Sequence, residues 1–212
     1  GEADHASPVW SPDGARIAFI ADRSEARDFS WNAEVYVVEV EGGEPREWSR
    51  GLHCFSQNPL GGAVAWSPDG TKLAVIGSDD DDLGDPRVGW LFVVEPGNAP
   101  WRLTDGSYTP VLSARDLRWT ADGRIVFLAD RQGESFLCQV PAAGGPLETI
   151  EGGGAQYSAL ALDAAARSAA VLAVPPTSAG DLYLIDVTTG ERTRLTRSNE
   201  EYLRQHPAAD LA

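Results

Sequence analysis

One pentapeptide constrains this chain more than any other feature. Trp10-Ser11-Pro12-Asp13-Gly14 returns unchanged as Trp66-Ser67-Pro68-Asp69-Gly70, returns in decayed form as Trp119-Thr120-Ala121-Asp122-Gly123, and leaves a weaker echo at Leu162-Asp163-Ala164-Ala165. An apolar run follows each copy: Arg16-Ile17-Ala18-Phe19-Ile20, Lys72-Leu73-Ala74-Val75-Ile76, Arg124-Ile125-Val126-Phe127-Leu128 and Ser168-Ala169-Ala170-Val171-Leu172. Proline presets φ for the second position of a tight turn, aspartate accepts hydrogen bonds from the local backbone, and glycine adopts the positive φ that closes the reversal. Each copy therefore predicts a hairpin in which the Trp ends one strand and the apolar run begins its antiparallel partner.

A second hairpin follows in every unit. Val35-Tyr36-Val37-Val38-Glu39-Val40 leads through Gly42-Gly43 to Arg46-Glu47-Trp48-Ser49, and Trp90-Leu91-Phe92-Val93-Val94 leads through Gly97 to Trp101-Arg102-Leu103-Thr104. Phe136-Leu137-Cys138-Gln139-Val140 passes Gly144-Gly145 to Glu148-Thr149-Ile150, and Leu182-Tyr183-Leu184-Ile185-Asp186-Val187 passes Gly190 to Thr193-Arg194-Leu195-Thr196. Trp48, Leu103, Ile150 and Leu195 hold the same place. Four strands per unit, at a period of about 45 to 56 residues, is the signature of β-propeller blades. The expected fold is all-β: a partial ring of about four blades of four antiparallel strands. The blades would fall near residues 5–50, 51–105, 106–152 and 153–198, giving a partial propeller over 1–198. Residues 199–212 form an exit segment, where Ser198 and Glu201 have capping-box spacing and Pro207 would end any short helix.

Composition narrows what such an arc could do. The 22 Gly and 14 Pro punctuate the short strands, in keeping with an all-β chain. A net charge of -15 leaves no basic stripe for nucleic-acid phosphates, and favours cationic or amine-bearing partners. No apolar run approaches the roughly 18 residues of a membrane span, and no charged-then-apolar leader opens the chain. A soluble protein without nucleic-acid or membrane partners is expected. The two cysteines, Cys54 and Cys138, fall in different units and read as packed, reduced thiols, which with the missing leader places the protein in the cytoplasm.

Candidate binding chemistry is sparse. Asp79-Asp80-Asp81-Asp82, with Asp85 nearby, sits between the second and third strands of the second unit. Its plain reading is a solvated acidic loop; its functional reading is a weak substrate-binding site that steers the amino ends of peptides. The run lacks the alternating spacing and following Gly of a calcium loop, so no metal and no cofactor is expected. His5, His53 and His206 read as loop or packing residues. Asp22-Arg23 and Asp130-Arg131 repeat at the ends of second strands, and are expected to tie neighbouring blades together. Trp10, Trp66 and Trp119 recur with the turns and read as packing between blades. Trp31, near Phe29, is not repeated and either lines a surface or tucks over its own blade.

The order Trp-Ser-Pro-Asp-Gly, Ile-Ala-Phe, Tyr-Val-Val-Glu-Val, Gly-Gly-Glu-Pro-Arg resembles the blades of prolyl oligopeptidase-type (S9) serine peptidases, especially acylaminoacyl peptidases, and is similar to TolB-type propellers. Arg194-Leu195-Thr196-Arg197-Ser198-Asn199-Glu200-Glu201-Tyr202-Leu203 resembles the segment in which these peptidases leave the last blade for their hydrolase domain. The chain holds no Gly-x-Ser-x-Gly elbow, so no catalytic residue is assigned. The resemblance implies a non-catalytic propeller that restricts and guides short peptides to a separate α/β-hydrolase domain. The alternative is a stand-alone TolB-like module that binds a protein. Seven blades close the ring in the resembling peptidases. An open arc leaves two faces bare, forgoing roughly 12 kcal/mol each at on the order of 500 Å² and about 25 cal/mol per Å². Missing blades of the same parent protein, a second chain, or a smaller closed ring would have to cover them.

Overall fold

The structure, a computed structural model, describes residues 4–23, 33–54, 63–79, 89–110, 117–176 and 178–206. Four antiparallel sheets account for nearly all of it. The first holds β1 (Asp4–Trp10), β2 (Arg16–Asp22), β3 (Glu34–Glu39) and β4 (Arg46–Glu47); the second holds β5 (Val64–Trp66), β6 (Leu73–Gly77), β7 (Trp90–Val94) and β8 (Trp101–Arg102). In the third, a short β9 (Thr109–Pro110) pairs with β11 (Arg124–Arg131) alongside β10 (Arg118–Trp119), β12 (Glu134–Pro141) and β13 (Glu148–Gly152). The fourth runs β14 (Gln156–Leu162), β15 (Ser168–Val174), β16 (Asp181–Asp186) and β17 (Arg192–Arg194), and a short helix α1 (Glu200–Gln205) follows. Spatial order matches chain order in every sheet, as hairpins demand.

The repeated turns form by the chemistry their residues carry. Ser11 Oγ donates to Asp13 Oδ1 at 2.5 Å and accepts from the Arg16 amide at 2.9 Å, while the Ala15 amide reaches the same Asp13 oxygen at 3.0 Å. Ser67, Asp69, Thr71 and Lys72 repeat the set. Thr120 substitutes for Ser in the third turn, donating to Asp122 and accepting from the Arg124 amide. Gly14 and Gly70 take φ of 70° and 68°. In the fourth turn Asp163 stands where the serines stood and accepts from the Ser168 amide at 2.8 Å, and Ala166 adopts φ 52° in the glycine's place. That left-handed alanine costs about 1 to 2 kcal/mol, which is why the echo is legible as a turn yet decayed as a motif.

Each sheet is apolar on both sides, so its core lies against its neighbours and not within itself. Successive residues of a strand point to opposite faces. Ala18, Ile20, Val35 and Val37 of the first sheet are buried against Trp66, Leu73, Val75 and Phe92 of the second. Ala74, Ile76, Leu91 and Val93, on the second sheet's other face, meet Ile125, Phe127, Cys138 and Val140 of the third. Val126, Leu128 and Leu137 continue the series against Tyr157, Ala169, Val171 and Ile185 of the fourth. The first strands β1, β5 and β10 lie beside one another. Among the described residues no core joins the fourth sheet to the first.

Polar pins lock adjacent sheets. Trp66 Nε1 donates to the Val9 carbonyl at 3.2 Å, and Trp119 Nε1 donates to the Ala65 carbonyl at 3.1 Å, so each indole reaches into the first strand of the preceding sheet. Arg16 Nη2 donates to the Gly70 carbonyl at 2.8 Å while its guanidinium lies 4.9 Å from the Trp66 ring. Trp48 meets Trp66 edge-on at 5.3 Å. Trp10 departs from the expectation: it is 62% exposed, because none of the described residues supplies a preceding first strand.

Two further expectations need correction. Asp130 and Arg131 bind inside their own sheet: Asp130 Oδ1 accepts from Ser135 Oγ at 2.6 Å, and Arg131 donates to the Tyr108 hydroxyl at 3.0 Å while lying over its ring. Arg23 likewise lies over Tyr36 of its own sheet. The Ser198–Glu201 capping box does not form. Asn199 is the N-cap, without a side-chain capping bond, and the Ser198 amide is engaged by Asp181 Oδ1 at 3.1 Å. Trp31, Phe29 and Pro207 lie outside the described residues.

The indole pin can be tested alone. Trp66→Phe keeps a ring in the core but removes the donor to Val9, and should lower the unfolding free energy by about 1 to 2 kcal/mol in urea titration. No loss would mean the pin is idle.

Candidate functional site

The first strands and the Trp turns enclose a recess of about 540 Å³ at the turn end of the arc. Trp10, Trp66 and Trp119 line it, with Pro68 and Ala164 from neighbouring turns, and among the described lining residues Arg118 alone is charged. No carboxylate, imidazole, thiol or hydroxyl is among its described lining residues. Such a recess can hold apolar or aromatic groups against indole faces, and its described lining residues offer no group that would move a proton or form a covalent bond. The described residues include no group of three or more His, Cys, Asp or Glu placed to hold a metal ion, and no helix long and apolar enough to cross a membrane.

Comparison with known proteins places this geometry. No protein-family model matches the sequence. Dipeptidyl-peptidase 5 of Porphyromonas gingivalis is 26% identical over 204 residues, covering 92% of this chain and 27% of that protein. Among solved structures, a puromycin-hydrolyzing peptidase of Mycobacterium tuberculosis superposes with a TM-score of 0.68 at 21% identity, over 91% of this chain and 29% of the other. TolB from Acinetobacter baumannii superposes with a TM-score of 0.64 at 20% identity, over 91% of this chain and 43% of the other. The four sheets are propeller blades. The chain is similar to the propeller portion of prolyl oligopeptidase-type peptidases, its blades are also similar to those of TolB, and it spans about a quarter of the length of dipeptidyl-peptidase 5.

Asp79, the first residue of the acidic run, lies at the other end of the second blade. Asp79, half exposed, follows β6 and sits 3.7 Å from Arg102 Nη1, whose guanidinium stacks 4.1 Å from the Trp90 ring. Part of its charge is therefore met within its own blade. Asp80, Asp81, Asp82 and Asp85 lie outside the described residues. His53 is buried in the second blade, its amide and carbonyl paired with Ser78 at 2.8 Å. His206 stacks on Tyr202 at 4.5 Å beyond the fourth blade. The His5 side chain lies outside the described set. Cys54 and Cys138 are free thiols in separate inter-blade cores, and burial pushes each up to about 12, far from a reactive thiolate at neutral pH. Pro12, Pro68 and the turn carboxylates Asp13, Asp69 and Asp122 hold the blades' first hairpins.

One recurring contact escaped the sequence reading. Ser49, Thr104 and Thr196 each accept, through the side-chain oxygen, the amide of the residue opposite: Val35 at 2.7 Å, Leu91 at 3.0 Å and Leu182 at 2.9 Å. These bonds latch the fourth strand to the start of the third where the ladder runs out. The signal was present in the dipeptides Trp48-Ser49, Leu103-Thr104 and Leu195-Thr196, each an apolar residue followed by a hydroxyl. In the fourth blade the latch is extended. Buried Asp181 takes Arg194 Nη2 at 2.6 Å, Thr196 Oγ1 at 2.8 Å and the Ser198 amide, fixing the path of the chain into α1.

Two carboxyls give the arc a pH signature. The Ser67 hydroxyl, then the Thr71 amide and hydroxyl, hold Asp69 down at about 2, against 3.8 when unperturbed. A depressed carboxyl stabilises the fold above pH 3.8 and loses that contribution as pH falls toward 2. Asp69→Asn should flatten this acid limb of the stability curve. Glu34 behaves oppositely, because burial, then Glu47 and Asp22, push it up to about 7 from 4.5. Its contribution is full below pH 4.5 and fades as pH rises through 7. Glu34→Gln should remove that decline and raise stability at pH 8 by about 1 kcal/mol after allowance for solvent screening. Chemical denaturation at pH 2 and 4.5 measures the Asp69 limb, and at pH 4.5 and 8 the Glu34 decline.

Proposed function

We propose that this chain is the non-catalytic propeller portion of a serine peptidase of the acylaminoacyl peptidase type, restricting and guiding short peptides to a separate α/β-hydrolase domain. The observation that carries the reading is the similarity to dipeptidyl-peptidase 5, which runs through 92% of the chain and so follows the whole order of blades. The recess supports it: stacked blades converge on an indole-lined space that can admit an extended peptide, and its described lining residues include no carboxylate, imidazole, thiol or hydroxyl. Its partners in this reading are the hydrolase domain and whatever completes the ring, and its ligands are short peptides. The buried, unpaired Cys54 and Cys138 suit a cytoplasmic location.

The parent protein should hydrolyse a chromogenic acyl-amino-acid substrate and short peptides while leaving a folded protein uncut, and the 212-residue chain should show no turnover. A second reading, a TolB-like module that binds a protein partner, draws on the superposition with TolB. A parent protein without peptidase activity would favour it.

In the peptidase reading the acidic run draws peptide amino ends by its field. Replacing Asp79, Asp80, Asp81 and Asp82 by Asn in the parent enzyme should slow peptide association by about 3- to 10-fold at low salt, with the difference vanishing as salt screens it. Stopped-flow rates that do not change would remove the acidic run from the mechanism.

A further inference from the structure

Two consecutive joints of the series are built alike except for one side chain. Between the first and second blades, Arg16 leaves its own turn and lies over the next blade's tryptophan, 4.9 Å from the Trp66 ring and 5.9 Å from the Trp48 ring. Its Nη2 donates to the Gly70 carbonyl at 2.8 Å and sits 3.9 Å from Asp13 Oδ2. A guanidinium placed this way combines attraction to a ring face with directed hydrogen bonds. Lys72 holds the same position in the second blade but turns elsewhere: its Nζ lies 3.7 Å from Glu95 of its own blade. Arg124 of the third blade also stays on its own sheet, 2.6 Å from Glu148, and there the following turn offers Leu162 and not an indole.

The joint between the second and third blades thus has the tryptophan without the guanidinium, and beside Trp119 it holds a slot of about 390 Å³. Pro68 and Ala121 wall the slot, Asp69 edges it, and Gly123 lines it at the place of Gly70. The Ser67 hydroxyl and the Thr71 amide and hydroxyl all donate to Asp69 Oδ1 and hold that carboxyl down at about 2, so it is ionised at neutral pH. Its Oδ2 corresponds to the Asp13 oxygen that faces Arg16. The Gly123 carbonyl accepts the Ala142 amide at 2.9 Å and has a second lone pair to offer. The slot shares Trp119 and Pro68 with the recess, but its described lining comes from the second and third blades alone.

We propose that this slot binds the side chain of a peptide arginine, its guanidinium stacked on Trp119 and hydrogen-bonded to Asp69 Oδ2 and the Gly123 carbonyl, as Arg16 is placed against Trp66, Asp13 and Gly70. The chain's own first joint is the template for the contact. A lysine ammonium is the poorer occupant, because a compact, strongly hydrated point charge cannot lie flat on a ring while its donors reach two acceptors in one plane. The net charge of -15 brings cationic groups toward the surface, and the slot selects among them by shape. The site does not rest on the peptidase reading: the slot can fill in a protein that hydrolyses nothing, and hydrolysis can proceed with the slot empty.

Saturation-transfer NMR on the parent protein, with Nα-acetyl-L-arginine N-methylamide as the probe, should show transfer to the arginine side chain and a Kd of about 1 mM. The corresponding lysine amide should bind at least about 5-fold more weakly. Lys72→Arg supplies the slot with the chain's own guanidinium, and should weaken binding of the arginine probe by at least about 10-fold. Lys72→Met removes the neighbouring cation without filling the slot, and should leave the affinity within about 2-fold of the original or raise it. Lys72 is partly exposed and outside the core, so both variants fold. No transfer to the arginine probe, equal affinity for the lysine amide, binding indifferent to Lys72→Arg, or loss of binding in both variants would overturn the proposal.

Discussion

A sheet that is apolar on both faces cannot stand alone in water, and every other feature of this chain follows from that constraint. Alternate residues of β6 and β7 send Leu73 and Val75 one way and Ala74 and Ile76 the other, and both sets are buried. Apolar burial contributes about 25 cal/mol per Å², so the second and third blades are held by what lies on each side and not by an interior of their own. Stability accrues joint by joint, as in other stacked repeats.

The polar contacts decide how the blades sit against one another. Apolar faces attract without direction, whereas an indole N–H that must find a carbonyl fixes both distance and register. Trp66 and Trp119 supply that definition, and Arg16 adds a second tie by holding the Gly70 carbonyl. Hydroxyl latches at Ser49, Thr104 and Thr196 close the outer ends of the sheets, where short fourth strands would otherwise fray. These groups leave the space at the turn end lined by rings and methyls.

Some of this was legible because local chemistry repeats locally. Pro12, Asp13 and Gly14 announce a turn whatever surrounds them, and the apolar run after each turn announces the strand that follows it. The latch was written in the dipeptides but could not be read, since a hydroxyl next to an apolar residue is common and only the opposite amide, 13 or 14 positions earlier, makes it meaningful. The pairing of Asp130 and Arg131 was misassigned for the same reason. Which partner a charge takes depends on what the sheet brings near: Ser135 across the β11–β12 hairpin for Asp130, and Tyr108 beside β9 for Arg131.

The amino-acid sequence by itself determined the hairpins, their order and the number of similar sheets, because turn geometry and strand periodicity depend on residues close in the chain. Only the tertiary structure decided which tryptophans are pins and which is bare. Trp10, Trp66 and Trp119 are equivalent as letters, but an indole's role is set by whether a carbonyl from a segment more than fifty residues away reaches its nitrogen. That proximity is a property of stacked blades, created when their apolar faces leave water, and no single blade contains it.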